Sequence, residues 1–366
     1  MKVLKSFGIL TALVVTLAGG SMVFAGDVGL PGDAVVIDGV DYQSMTEYFH
    51  SEHFKSGDRR CGTPDYWAHP EVLPGRDTAD CTMILTNPDP IYDPDLTYVY
   101  EIPVVVHIIT HDNGVTGDLT DQMVQSQIDV LNEDYLAMPG TLGENGNFTG
   151  IRFVLATEDP DGLPTTGITR TANTNWYNDN DESGFKSTLM WDPNRYLNFY
   201  TNNTVYLGYA WFPQWGVGGW QDGIVITYRA FGRNSPMYPY NLGRTATHEV
   251  GHWLGLLHTF QDGCGTASAP GCYSTGDRIC DTDPDATQTF GCPSATSCGS
   301  YPIPVENYME YTDDACMELF TPEQANRARC SLTSYRPIGY SMVLLDGIFH
   351  DGFESGDTTG WSFASP

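Results

Sequence analysis

The sequence predicts an α+β fold for the middle of the chain, and three observations carry that reading. "YVYEIPVVVHIIT" (98–110) is a β-branched run suited to a buried strand. Val124, Ile128, Leu131 and Tyr135 recur at helical spacing behind Thr120, a candidate cap. "TATHEVGHWLGLLH" (245–258) reads as a second helix, reached only after several strand-like runs. Strand, helix, strands, helix is the order of a sheet with helices packed on it.

The remaining elements follow in order. "IRFVLA" (151–156), "YLNFYTN" (196–202) and "DGIVITY" (222–228) are expected as further strands. "YLGYAWFP" (206–213) is a short strand ending in proline, which suits a sheet edge because proline has no N–H for a ladder. After His258 the chain is loop-rich in Gly, Pro, Asp and Cys. "FTPEQANRARCSLT" (320–333) is expected as a last helix, with Thr321 as cap and Pro322 at its first position. Residues 26–97 are rich in Pro, Gly and Asp with little sustained periodicity, which reads as a pro-segment and linker. The folded domain is then 98–337, and 338–366 a C-terminal tail.

At 366 residues the chain can hold one large or two medium domains. Against 46 acidic residues stand 17 basic ones, a net charge of −29 that excludes nucleic acid and anionic membrane as partners. That charge favours calcium and basic substrates. The N-terminus has Lys2 and Lys5, an apolar run over 7–18, and small residues Val23 and Ala25. This is a secretory signal peptide cut after Ala25, since the apolar run is short for a membrane anchor. No later segment is apolar enough to span a bilayer, so the protein is expected outside the cell. Nine cysteines in an exported chain point to disulfides with one thiol left over.

"HEVGHWLGLLH" (248–258) carries the chemistry. His248 and His252, four apart on a helix, share a face and can hold one zinc ion. Glu249 lies beside the first ligand, where its carboxylate can take a proton from a zinc-activated water. Gly255 lets the chain turn out of the helix, and His258 returns as the third ligand. Gly255 and His258 at these offsets make chance occurrence rarer than about one in a thousand at ordinary residue usage.

These residues form the metzincin zinc signature. With "NYMEYTDDACM" (307–317), "LGYAWFP" (207–213), "DGIVITYRAFG" (222–232) and "HEVGHWLGLLHTF" (248–260), the chain resembles the pappalysin family of secreted metalloproteases over about residues 98–335. The resemblance implies a metzincin-type zinc metalloprotease: a twisted mixed sheet, an active-site helix and an irregular, disulfide-rich lower subdomain. It implies a Met-turn with Met309 as a base under the zinc, and Tyr311 as a residue that approaches zinc or the oxyanion. The edge strand 206–213 would pair with an extended peptide.

Upstream, "RRCGTP" (59–64) is similar to the family's cysteine switch, in which Cys61 would give its thiolate to zinc in the latent form. A disulfide partner is the alternative for Cys61. Removing Cys61 leaves eight cysteines, which pair off if activation cuts between Cys61 and Cys81. Arg76 is the only Lys or Arg between Cys61 and Arg152, and so the candidate position. The resemblance implies pairs Cys272–Cys298 and Cys292–Cys316, and Cys264–Cys280 with Cys81–Cys330 are then the expected remainder. "TGDRICDTDPDA" (275–286) resembles a family calcium loop, with Asp277, Asp281, Thr282 and Asp283 as ligands, the alternative being a solvated acidic loop. Asp313 and Asp314 would favour Arg or Lys after the scissile bond. The activity expected is that of a zinc endopeptidase on protein or peptide substrates. The alternative is a non-catalytic, calcium-dependent adhesion module, which the presence of Glu249 disfavours.

Overall fold

The computed structural model describes residues 34–57, 59–64, 81 and 88–345. The signal peptide, Arg76 and the chain beyond 345 lie outside the described residues.

The chain opens with a hairpin of β1 (Val35–Ile37) and β2 (Val40–Tyr42), then helices α1 (Met45–Phe49) and α2 (Glu52–Ser56). Ser44 and Ser51 cap the two helices by accepting from Glu47 N–H and Phe54 N–H. This is more ordered than the little sustained periodicity of residues 26–97 suggests. Tyr48, Phe49 and Phe54 are buried and pack with Leu207, Ala230, Met237 and Tyr240 of the main body. The periodicity is hard to see because each helix is five residues long, and the apolar face is completed by residues far along the chain.

β3 (Tyr98–Thr110) is the spine of the main sheet. Its run of Val104, Val105, Val106, Ile108 and Ile109 is fully buried, as a strand covered on both faces requires. Helix α3 (Asp121–Tyr135) starts at Thr120, whose hydroxyl accepts from Met123 N–H at 3.1 Å. β4 (Ile151–Leu155) and β5 (Ile168–Ala172) pair in parallel along one flank of β3. Short helices α4 (Thr174–Tyr177) and α5 (Glu182–Leu189) lead to β6 (Leu197–Asn202), parallel to the other flank. β7 (Gly208–Ala210), α6 (Pro213–Gly216) and β8 (Ile224–Thr227) follow. β8 is parallel to β6, and β7 closes that edge antiparallel to β8, so the sheet is mixed.

The active-site helix α7 spans Arg244–Trp253 and ends earlier than the expected 258. A tiny hairpin, β9 (Thr296–Ser297) with β10 (Tyr301–Pro302), is all the strand structure of the lower loops. Helix α8 (Pro322–Tyr335) begins in a capping box between Thr321 and Gln324. β11 (Ser341–Leu344) then pairs antiparallel with the start of β3, so the stretch assigned to a tail contributes a strand. Pro103 sits mid-strand without disrupting the ladder. Along its flank β11 ends opposite Glu101 and β6 begins opposite Val104, so no partner there needs its missing N–H. β5 escapes a sequence reading because "ITRTA" is half polar and nowhere buried.

Buried polar groups fix α7 against its neighbours. Arg244 donates to Asp134 of α3 at 2.9 Å, and Thr247 donates to the same carboxylate at 2.6 Å. At the other end Asp222 accepts from Trp253 Nε1 at 2.6 Å and from Arg336 at 2.7 Å. Removing one partner of such a buried pair would strand a charge and cost about 3–5 kcal/mol.

Four disulfides are present, Cys81–Cys330, Cys264–Cys298, Cys272–Cys280 and Cys292–Cys316. The second and third correct the expected Cys272–Cys298 and Cys264–Cys280. A 3-10 turn over Gly271–Ser274 and left-handed residues Gly276 and Arg278 fold the chain back, bringing Cys272 and Cys280 to a Cα separation of 5.1 Å. Cys264 is then left for Cys298. Cys61 is free and buried.

Candidate active site

The local sequence builds the site. α7 runs to Trp253, Leu254 caps it, and Gly255 adopts φ +86°, which non-glycine residues rarely accept. The chain reverses there and brings His258 back beside the helix. His248 Nδ1 donates to Tyr308 C=O at 2.7 Å, and His252 Nδ1 donates to Leu256 C=O at 2.8 Å. Those bonds place the ring protons on Nδ1 and leave Nε2 lone pairs facing inward. His252 Nε2 lies 3.1 Å from His248 Nε2 and 3.0 Å from His258 Nε2. Proton-free nitrogens at that distance repel unless a cation sits among them. Tetrahedral zinc spaces two nitrogens by about 3.3 Å, so the donor set fits that ion. Cys61 Sγ completes the group, with all four ligand atoms within 4.8 Å of one another.

Met309 lies beneath this cluster, fully buried. A Cβ on Gly251 would come within 2.4 Å of Met309 Sδ, so a larger residue there would have to push the Met309 thioether aside. The sequence motif leaves position 251 unspecified, and this contact shows why a glycine stands there. Tyr311, also buried, has its ring centroid 4.9 Å from His258 and 5.8 Å from His248.

Glu249 is buried next to the ligands, and burial pushes its carboxyl up to about 8. Thr63 Oγ1 donates to its Oε2 at 3.1 Å, and the Cys61 thiol approaches the same oxygen at 3.5 Å. Gly208 in β7 allows the close approach, since a Cβ there would meet Glu249 Cγ at 2.8 Å. The segment around Cys61 runs along β7 as an added parallel strand. Gly62 N–H donates to Gly208 C=O at 2.8 Å, and Leu207 N–H donates to Arg60 C=O at 3.2 Å. The edge of the sheet therefore already holds an extended chain across the site.

Arg60 is buried beside Cys61. It donates to Thr312 C=O at 3.0 Å and lies over the Tyr240 ring at 4.8 Å. Asp313 is half-buried in the same region, with its carboxyl raised by burial and opposed by the Arg60 charge. Asp314 is fully buried with residues 60–63 in place; its Oδ2 accepts from Leu242 N–H at 2.8 Å and Arg244 N–H at 3.2 Å, which anchors the start of α7, and the Arg60 charge opposes the rise that burial gives its carboxyl.

The acidic loop divides. Asp277 and Thr282 line one cleft with Gly263, Thr266 and Gly276, and neither Asp277 Oδ2 nor Thr282 Oγ1 has a hydrogen-bond partner although both are buried. Burial pushes Asp277 up to about 8. Asp281 is exposed and accepts from Glu323 N–H at 2.9 Å at the start of α8, and Asp283 does not line the cleft.

Known proteins share this architecture. The family model described as pregnancy-associated plasma protein-A, peptidase family M43, matches residues 166–333. An extracellular metalloprotease of Verticillium alfalfae is 37% identical over 247 residues, covering 64% of this chain and 76% of that protein. One from Pyricularia oryzae is 35% identical over 244 residues, 64% of this chain and 76% of that protein. Among solved structures, mature mirolysin of Tannerella forsythia in complex with a cleaved peptide is 37% identical with a TM-score of 0.55, covering 66% of this chain and 96% of that one. A promirolysin mutant from the same organism is 33% identical with a TM-score of 0.61, covering 77% of this chain and 97% of that one.

Proposed function

This chain belongs to the pappalysin family of extracellular metalloproteases, and from that premise we propose that it is a latent zinc endopeptidase using Glu249 as its proton carrier. The observation that carries this reading is the convergence of the three Nε2 atoms beside the Glu249 carboxylate. Zinc held by His248, His252 and His258 would supply Lewis acidity toward the scissile carbonyl and an attacking water. Glu249 takes the water's proton on its carboxylate and returns it to the leaving amine. Its burial suits a group that must gain and lose a proton near neutrality. Tyr311, whose ring lies 4.9 Å from that of His258, would steady the developing oxyanion, and Met309 would support the ligands from below. The β7 edge, freed of residues 60–63, binds substrate backbone by strand addition.

Latency rests on Cys61 as a fourth ligand and on Thr63 occupying Glu249. A structural match that covers more of this chain for a pro-form than for a mature form supports a pro-segment here. Arg60 supports a preference for Arg or Lys after the scissile bond, because its guanidinium already sits among Tyr240, Thr312 and Asp313 next to the reaction centre. A cut at Arg76 would suit that preference and leave the new N-terminus tied to α8 through Cys81–Cys330. The test is cleavage of a denatured protein by processed enzyme, with sites read by mass spectrometry. Cuts before Arg or Lys that a zinc chelator abolishes are expected. Cuts without basic preference would remove the specificity assignment, and chelator-resistant cleavage would remove the mechanism.

Asp277 Oδ1 accepts from Ile279 N–H at 3.1 Å, and the unpartnered Asp277 Oδ2 and Thr282 Oγ1 support a structural calcium ion in their cleft, since a buried carboxylate oxygen left unsatisfied is costly. Millimolar calcium is expected to raise the melting temperature by about 4 °C for each ~1–2 kcal/mol of binding, and Asp277→Asn to remove that gain. An unchanged melting curve would mark the loop as merely solvated.

A further inference from the structure

We infer that Glu310 is a positioning residue that holds His258 and Tyr311 in register with each other. It stands between Met309 and Tyr311, yet it is absent from the chemistry described above. Its side chain is fully buried. One oxygen accepts from Tyr311 N–H at 2.9 Å and from Thr289 N–H at 2.9 Å. The other accepts from the hydroxyl of Thr259, the residue after His258. Thr259 N–H also donates to Met309 C=O at 3.3 Å, so the third-ligand loop is stitched to the Met-turn at two adjacent points. One carboxylate thus joins the loop of the third ligand, the backbone of the oxyanion tyrosine and the 285–291 loop.

The choice of residue is informative. Packing alone would be met by leucine or methionine, and a buried carboxylate is costly unless each lone pair is used. Here three donors from three separate segments converge on it. Aspartate would be one methylene too short to span them. Glutamine could keep the bridge, because its carbonyl can take both N–H groups while Thr259 rotates its hydroxyl to accept from the amide.

This inference rests on the zinc reading of His248, His252 and His258, and the experiment separates the two. Glu310→Ala, Glu310→Gln and Thr259→Val are made in the full-length chain. Zinc release to a chelating dye is followed before processing, and kcat and KM after it. Glu310→Ala is expected to release zinc about tenfold faster, as loss of an outer support does. Its kcat is expected to fall about 10²-fold with KM within about twofold, as when a transition-state group is misplaced. Glu310→Gln is expected to stay within about threefold of the parent on every measure, its bridge being intact. Thr259→Val, which cuts only the link to the ligand loop, is expected to speed zinc release and carries the test if Glu310→Ala does not fold. Parental zinc release in both Glu310→Ala and Thr259→Val, or equal losses in Glu310→Ala and Glu310→Gln, overturns the inference while zinc in the parent chain upholds the metal reading. A parent chain that takes up no zinc overturns both.

Discussion

Replacing Glu249 with glutamine is expected to lower kcat of the processed enzyme by about 10³-fold, within the range for loss of a general acid–base group. Zinc content should stay at that of the parent, because Glu249 donates no atom to the ligand cluster. Glutamine is nearly isosteric, so the tight contact with Gly208 is preserved and stability should change little. Metal analysis beside single-turnover kinetics checks both halves. Loss of zinc together with activity would mean that Glu249 serves the metal and not the proton.

Replacing Cys61 with alanine is expected to make the uncut full-length chain active, at least tenfold above the uncut parent. The argument is geometric. Cys61 is the only non-histidine among the ligand atoms, and the rest of its segment is held by hydrogen bonds to Leu207, Gly208, Ala210, Thr312 and Glu249 and by the Arg60–Tyr240 contact. Without the sulfur, that segment keeps Arg60 in its pocket but loses its bond to the metal, worth several kcal/mol for zinc–thiolate pairs. Intact chain on a denaturing gel, assayed at once on a short peptide, is the check. Silence of the uncut variant would place latency in the rest of the docked segment, with Thr63 on Glu249, Arg60 in its pocket and helices α1 and α2.

Much of the site is readable from the sequence because its logic is local. His248, Glu249 and His252 depend only on helical spacing, and Gly255 depends only on a backbone angle that glycine accepts. Thr120 and Thr321 cap their helices because capping needs residues no more than three apart. Long-range partners are another matter. Asp314 looks like a surface charge after the Met-turn, and only the fold shows the two N–H groups of residues 242 and 244 that claim it. Cys264 and Cys272 exchange their expected partners because a turn of eight residues decides the pairing, and spacing alone does not encode that turn. Glu310 passes unnoticed for the same reason, since its donors come from residues 259, 289 and 311. Helices α1 and α2 hide because four of the ten buried residues of their cluster, Leu207, Ala230, Met237 and Tyr240, lie far along the chain.

The measurement that bears most directly on the metal centre is X-ray absorption at the zinc edge, taken on the full-length chain and again after processing. The full-length chain should bind one zinc with three imidazole nitrogens and one sulfur at about 2.3 Å, and the sulfur should disappear once the segment carrying Cys61 is removed. A full-length chain that binds no zinc, or binds it with no sulfur neighbour, would contradict the account.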